Sequence, residues 1–196
     1  MLRLAAAAAT VLALAAPSTA RAGGGFYIFD GGTPAQRSEV RSGLEASAFD
    51  WSIVHAMITI HIRRGIESEA TPGHIWLDSD LLGAKRFAWG VVQHEYAHEV
   101  DFLVLTDDQR DALAGGLGGA VWCCAAPGLR HDELGCERFA STLAWAYWPS
   151  PENSMRPFNS ADESAALPPA EFRALLTQLL GVPDRVRERA AARPVR

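Results

Sequence analysis

Residues 91–101 of the chain read VVQHEYAHEVD, within a longer helical and apolar pattern from Ala84 to Leu105. On an α-helix, residues four apart lie on the same face, so His94 and His98 can direct two imidazole nitrogens to one point. Two convergent imidazoles are typical of a zinc site. The stretch therefore predicts a long helix that holds Zn²⁺ through His94 and His98.

The acidic residue directly after the first histidine predicts the chemistry of this site. At 3.6 residues per turn, Glu95 is rotated by about 100° from His94, so it cannot be a ligand on the same face. It can reach a water bound to the metal, whose pKa zinc lowers to roughly 7. Acidic residues seldom occupy apolar surroundings such as these without a partner. We expect Glu95 to act as a general base, in the arrangement HExxH.

A catalytic zinc ion usually takes a third protein ligand, and the downstream candidates are Asp132, Glu133 and Glu137. The first two fall in the polar stretch HDELG, where exposed acids are expected. Glu137 begins the apolar helix ERFASTLAWAYW and shares a face with small residues that permit close helix packing: Ala140, Ser141 and Ala144. We therefore predict Glu137 as the third ligand. The alternative is that it only complements the helix dipole in the first turn.

The strands before the motif complete the pattern. ITIHIR alternates apolar and polar residues, which is typical of a half-buried strand. HIWLD is predicted to be a second strand, and the polar turn between the two segments predicts an antiparallel pair. The histidines here, and the one just before them, carry no spacing signal, and we expect them to be surface residues rather than ligands: His55, His61 and His74.

These features together resemble the zincin metallopeptidases. The resemblance rests on HEYAHEVD, on the strands ahead of it and on CERFASTLAWA downstream, and it covers about residues 54–148. Within zincins the chain is most similar to the small gluzincins, including catalytic domains of the lethal-factor type. The resemblance implies an α+β fold with a small antiparallel β-hairpin or sheet beside the HExxH helix, and a second helix that carries the third ligand.

The resemblance also implies roles for residues around the metal. A strand before the motif helix would form the edge along which a peptide lies, a role open to HIWLD or ITIHI. Ser141 stands four residues after Glu137, where relatives often carry an acid that orients the first histidine; a serine oxygen can still accept the imidazole N–H of His94.

Asp101 is expected to have a structural or supporting role. The donor that stabilises the oxyanion is predicted to be His131 or Tyr147, although His131 could equally be a surface loop histidine.

The N-terminus predicts export. A basic start at Arg3, an apolar run to Ala16 and small residues at Ala20 and Ala22 match a secretory signal peptide over residues 1–22. We expect one domain over residues 23–182 and a basic tail over residues 183–196, which is either disordered or a solvated helix end. The apolar run is too short to span a membrane, so the mature chain is predicted to be free of the membrane and extracytoplasmic.

The net charge and the cysteine content further restrict the class of protein. A net charge of −5 argues against a nucleic-acid surface, because phosphate binding needs clustered Lys and Arg. An oxidising compartment permits disulfides, and the three cysteines predict a bridge from Cys136 to Cys123 or Cys124.

The sequence as a whole predicts a secreted, monomeric zinc peptidase that hydrolyses a peptide or protein substrate by metal-activated water. The alternative is a non-catalytic protein of similar fold that binds zinc or another ligand. Retention of Glu95 favours the enzyme, since a closed structural site has no use for a base.

Overall fold

The computed structural model describes residues 25–123 and 128–187. The predicted signal peptide lies outside the described residues, as does most of the predicted tail. The described part is a mixed α+β fold: four strands and six α-helices, joined by loops with short 3₁₀ turns. This confirms the α+β class at the coarse level.

Four strands form one sheet in the order β1-β2-β4-β3. Their bounds are Tyr27–Gly31 for β1, Ile58–Arg63 for β2, Glu69–Thr71 for β3 and His74–Asp78 for β4. β1 and β4 both run parallel to β2, and only the short β3 is antiparallel, to β4. β3 therefore forms one edge of the sheet and β1 the other.

The predicted antiparallel pairing of ITIHIR with HIWLD is wrong. These segments are β2 and β4, and they pair in parallel with Ile60 opposite Ile75. β2 and β4 can run in the same direction because the segment between them forms β3, which runs in the opposite direction and makes a hairpin with β4. Alternation of apolar and polar residues decides which face of a strand is buried, and it holds for either strand direction.

The alternation itself is confirmed. Ile58, Ile60 and Ile62 are buried against the helices, as are Ile75 and Leu77 of β4. The opposite face carries His61 and His74, whose rings are stacked and whose nearest nitrogens lie 3.0 Å apart. These two histidines lie outside the clusters of possible metal ligands found among the described residues.

The six helices pack on the buried face of the sheet and on each other. They are α1 (Pro34–Ala46), α2 (Ser79–Leu82), α3 (Arg86–Leu103), α4 (Asp107–Leu117), α5 (Gly135–Tyr147) and α6 (Pro169–Leu180). α3 carries the motif and is buried along most of its length. Its Gly90 has no room for a Cβ, which would clash with Asn153 and Ser154, so the loop after α5 packs directly on the α3 backbone.

α5 packs closely on α3, as the run of small residues predicted. Ala140 and Ala144 are fully buried, and Ser141 is nearly so. Large side chains on the other faces of α5 complete the core, among them Phe139, Leu143 and Tyr147. The close approach of the two helices brings the start of α5 to the middle of α3, where the histidines lie.

Three further features bear on the sequence predictions. Cys123 and Cys136 are bonded, with their Cα atoms 5.5 Å apart, which confirms the bridge and selects Cys123 as the partner. Of the predicted tail, residues 183–187 are described, and Arg185 bonds Asp50 at 2.5 Å. No helix in the described ranges has the length and apolarity needed to cross a membrane.

Candidate metal centre

α3 directs both motif histidines into the space between α3 and α5. His94 and His98 are each only 6% exposed, and their Nε2 atoms lie 3.2 Å apart. Their spacing of one helical turn produces this convergence, because side chains at i and i+4 lie one above the other. The predicted pair therefore forms.

α5 brings the carboxylate of Glu137 to the same point. Its Oε2 lies 3.2 Å from His94 Nε2 and 3.2 Å from His98 Nε2. The three donor atoms thus form a triangle with equal sides of 3.2 Å. Tetrahedral zinc with ligands at 2.0–2.1 Å separates its donors by about 3.3–3.4 Å. The donor set and its spacing fit a zinc ion.

The state of Glu137 Oε2 supports a cation at this place. The atom is buried and makes no hydrogen bond of good geometry with the described residues, although three imidazole nitrogens surround it. Burial opposes ionisation, but the contacts from His131, His94 and His98 outweigh it and hold the pKa of this carboxyl well below its usual range. A buried carboxylate oxygen that faces imidazole nitrogens, without a hydrogen bond of good geometry, is an atom that a bound metal ion would satisfy.

The competing carboxylates, Asp132 and Glu133, are engaged elsewhere. Asp132 Oδ1 accepts a hydrogen bond from Arg130 Nε at 2.8 Å, and Glu133 Oε2 accepts one from the Arg130 backbone N–H at 2.8 Å. Neither belongs to a cluster of possible metal ligands among the described residues, whereas Glu137 belongs to two.

Glu95 lies beside the donor triangle rather than in it. One of its carboxylate oxygens is within 4.8 Å of ring nitrogens of both His94 and His98. The residue is 5% exposed, and it lines the cleft in front of the histidines. Burial raises the pKa of Glu95, while the nearby histidines act in the opposite direction. A partly desolvated carboxylate next to the donor set has the position that a general base requires.

His131 lies at the mouth of the same site. Its Nε2 is 2.9 Å from Glu137 Oε2, and its side chain is 63% exposed. Its Nδ1 lies 2.5 Å from Glu163 Oε1. The contacts with Glu137 and Glu163 raise the pKa of His131 to about 10.

Tyr147, the other candidate for the oxyanion donor, is in the core. It is 2% exposed, and its ring packs edge-on against Phe49 with centroids 5.0 Å apart. It does not line the cleft in front of the donor triangle. Of the two predicted candidates, the described structure brings only His131 to the site.

The groups behind the donors have identifiable roles. His94 Nδ1 lies 3.1 Å from Ser141 Oγ, the contact expected from the sequence. Asp101 accepts hydrogen bonds from Arg110 Nε at 2.8 Å and from Trp122 Nε1 at 3.0 Å. Asp101 therefore has the expected structural role, because it ties α3 to α4 and to the segment before the disulfide.

The donors open into a cleft of about 360 Å³. Its lining includes the segment that leads into and forms β3, residues 67–70, together with Cys123 and His131. Of the strands, it is β3 that borders the cleft, so the expectation that HIWLD or ITIHI lies there is wrong. Those segments are β4 and β2, which occupy the interior of the sheet.

Two features near the donor triangle carry no signal in the sequence. β3 is only three residues long, too short for a pattern of alternation to be recognised. Glu163 lies in a segment rich in Pro, Ser and Asn, and its distance along the chain from the motif carries no spacing signal. The adjacent acid Asp162 lies in the same polar segment, so the sequence offers no reason to prefer Glu163.

Comparisons of the chain with models of known protein families, with curated proteins and with solved structures find no match.

Proposed function

We propose that the chain is a zincin-type zinc peptidase that hydrolyses peptide bonds. The observation that carries the proposal is the equal-sided triangle of His94 Nε2, His98 Nε2 and Glu137 Oε2, with Glu95 beside it in the cleft. Three ligands leave a fourth position open, which is the arrangement of catalytic rather than structural zinc sites.

Each residue would have a distinct task. His94, His98 and Glu137 hold the ion, which when bound supplies Lewis acidity and lowers the pKa of a water. Glu95 accepts the proton of the attacking water and later delivers it to the leaving amine. His131, whose Nε2 lies 2.9 Å from Glu137 Oε2, would donate a hydrogen bond from this nitrogen to the developing oxyanion at the mouth of the site.

The cleft offers a surface for an extended peptide. β3 borders the donors, and among the described strands it pairs only with β4, which leaves its other edge open. Backbone groups on an open strand edge can pair with an added strand, while the alternating side chains occupy pockets. This supports a peptide or protein substrate.

One observation favours a different function. His131 also forms a cluster with His94 and Glu137 whose donor atoms lie within 4.8 Å of one another, so it could fill the fourth zinc position. Four protein ligands would close the site to water and make the protein a non-catalytic zinc binder. The exposure of His131, far above that of the two motif histidines, favours a role at the mouth of an open site.

Export through the predicted signal peptide remains part of this proposal. The Cys123–Cys136 bond is compatible with an oxidising, extracytoplasmic location. In that setting we expect the mature chain to act as a monomer on peptides.

The proposal is tested by incubating the zinc-loaded protein with a library of peptides of mixed sequence and detecting new termini by mass spectrometry. We expect cleavage that stops when a chelator removes zinc and returns when zinc is restored. A protein that binds one zinc ion but cleaves no peptide, while a His131→Ala variant loses zinc affinity, would support the closed, non-catalytic site instead.

A further inference from the structure

One carboxylate behind the donor set contacts one histidine of the site directly and a second one through a serine. Glu163 belongs to the 3₁₀ turn Glu163–Ala165, in the loop between α5 and α6. Its Oε2 accepts a hydrogen bond from Ser141 Oγ at 2.8 Å, and its Oε1 lies 2.5 Å from His131 Nδ1. Because Ser141 Oγ is also 3.1 Å from His94 Nδ1, a hydrogen-bonded chain runs from His94 through Ser141 and Glu163 to His131.

The chemistry of the groups fixes the direction of these hydrogen bonds. An ionised carboxylate can only accept, so the single hydroxyl proton of Ser141 is directed to Glu163. Ser141 Oγ must then accept from His94, which places the imidazole proton on Nδ1. The lone pair of His94 is left on Nε2, the atom in the donor triangle. Serine alone could donate or accept, and Glu163 removes that ambiguity.

The surroundings hold the chain of bonds in place. Ser141 is 3% exposed and the Glu163 side chain 19% exposed, so competition from water is limited. Burial opposes ionisation of Glu163, but the hydrogen bonds from His131 and Ser141 outweigh it and lower the pKa of this carboxyl. Thr142 Oγ1 donates to the Glu163 backbone carbonyl at 3.2 Å, which fixes the turn against α5.

We propose that Glu163 is a positioning residue of the zinc site, which orients His94 through Ser141 and holds His131 directly at the mouth. This inference rests on the proposed zinc site. The carboxylate expected four residues after Glu137 is replaced by a serine on α5 and a glutamate from a distant loop. Groups that hydrogen-bond a metal ligand in this way typically raise metal affinity or activity by about 10- to 100-fold.

The test is the zinc dissociation constant of the full mature chain, measured by competition with a chromophoric chelator. We expect Glu163→Ala and Ser141→Ala each to weaken binding by about 10- to 100-fold. Both residues act on His94 through one chain of hydrogen bonds. The double variant should therefore bind zinc no more weakly than the weaker-binding single variant, whereas independent sites would show additive losses of affinity.

A relocation variant separates orientation from a merely structural role. Ser141→Asp in the Glu163→Ala background supplies a carboxylate directly to His94 Nδ1, in the space that the Glu163 side chain vacates, and should restore zinc affinity to within a few-fold of wild type. The matched control is Asp162→Ala, which removes the neighbouring carboxylate that caps the backbone N–H groups of Phe158 and Asn159. It should leave zinc affinity unchanged.

Three results would overturn the inference: wild-type zinc affinity in Glu163→Ala, fully additive losses in the double variant, or an equal loss in Asp162→Ala. A wild-type protein that fails to bind zinc would instead remove the proposed function itself. The two failures are therefore distinguishable in one set of titrations.

Discussion

At the scale of single residues, the assignment of the metal site depends on Glu137. Its Oε2 is the one carboxylate oxygen, among the described residues, that lies 3.2 Å from both motif histidines. Loss of one of three protein ligands leaves an incomplete site, so Glu137→Ala should weaken zinc binding severely. Asp132→Ala and Glu133→Ala, which remove carboxylates bonded to Arg130, should leave it within a few-fold. Chelator competition at pH 7 measures all three, and equal affinities would remove Glu137 from the site.

The role of His131 distinguishes an open, catalytic zinc site from a closed, non-catalytic one. If it donates to the oxyanion, His131→Ala should lower kcat/KM on a cleaved peptide by about 10²- to 10³-fold, with zinc affinity nearly unchanged. Tyr147→Phe is the matched control, because its hydroxyl is buried in the core, and it should keep full activity in properly folded protein. Unaltered kcat/KM in His131→Ala would end the assignment of this residue as the donor.

The residues of the motif could be identified from the sequence because their roles depend on helical spacing. The positions of His94, Glu95 and His98 within one turn determine which of them share a face. Glu137 could be selected over its acidic neighbours because it begins an apolar helix with small residues on one face. Glu163 could not be found in this way, since only the tertiary fold brings it to Ser141.

At the scale of elements, the disulfide fixes the segment that leads into α5. Cys136 is the residue before Glu137, and the bond closes a loop with a sequence separation of 13. In the chain-entropy model a loop of this size contributes about 3 kcal/mol to the free energy of unfolding. The double variant Cys123→Ala/Cys136→Ala should lose roughly that amount in urea unfolding.

The control for the disulfide is Cys124→Ala, which should retain wild-type stability and the bridge, since the structure assigns the bond to Cys123. Peptide mapping without reduction should find Cys136 joined to Cys123. A bridge from Cys136 to Cys124 in exported protein, or a double variant as stable as wild type, would contradict the arrangement.

The helices were predictable from the sequence and the pairing of the strands was not. α3 and α5 follow apolar periodicity over more than three turns, a strong local signal. The direction of β4 relative to β2 depends on β3, whose three residues have no pattern of their own. Strand order and direction are set by tertiary packing, and local alternation fixes only the buried face.

At the scale of the whole molecule, the hydrophobic core is largely separate from the metal site. Tyr27, Ile60, Phe139 and Phe172 are buried without contributing donors to the site. We therefore expect the protein to stay folded when zinc is removed, and to lose only the stability that ligand binding adds by mass action, about 2.7 kcal/mol at a free zinc concentration 100 times the Kd.

Circular dichroism and thermal unfolding before and after chelation measure this difference. Retention of secondary structure with a lower Tm is the expected result for a catalytic ion. Collapse of the fold on chelation would indicate a structural ion and favour the non-catalytic alternative.

The measurement that tests the central claim most directly is kcat/KM of zinc-loaded Glu95→Gln on a peptide that the wild type cleaves, together with its zinc stoichiometry. Glutamine keeps the size of the side chain and removes the proton acceptor, and Glu95 is not one of the three proposed ligands. We expect wild-type zinc content and a loss of about 10²- to 10⁴-fold in kcat/KM, the usual contribution of a general base. Unchanged turnover by a fully zinc-loaded Glu95→Gln protein would contradict the account.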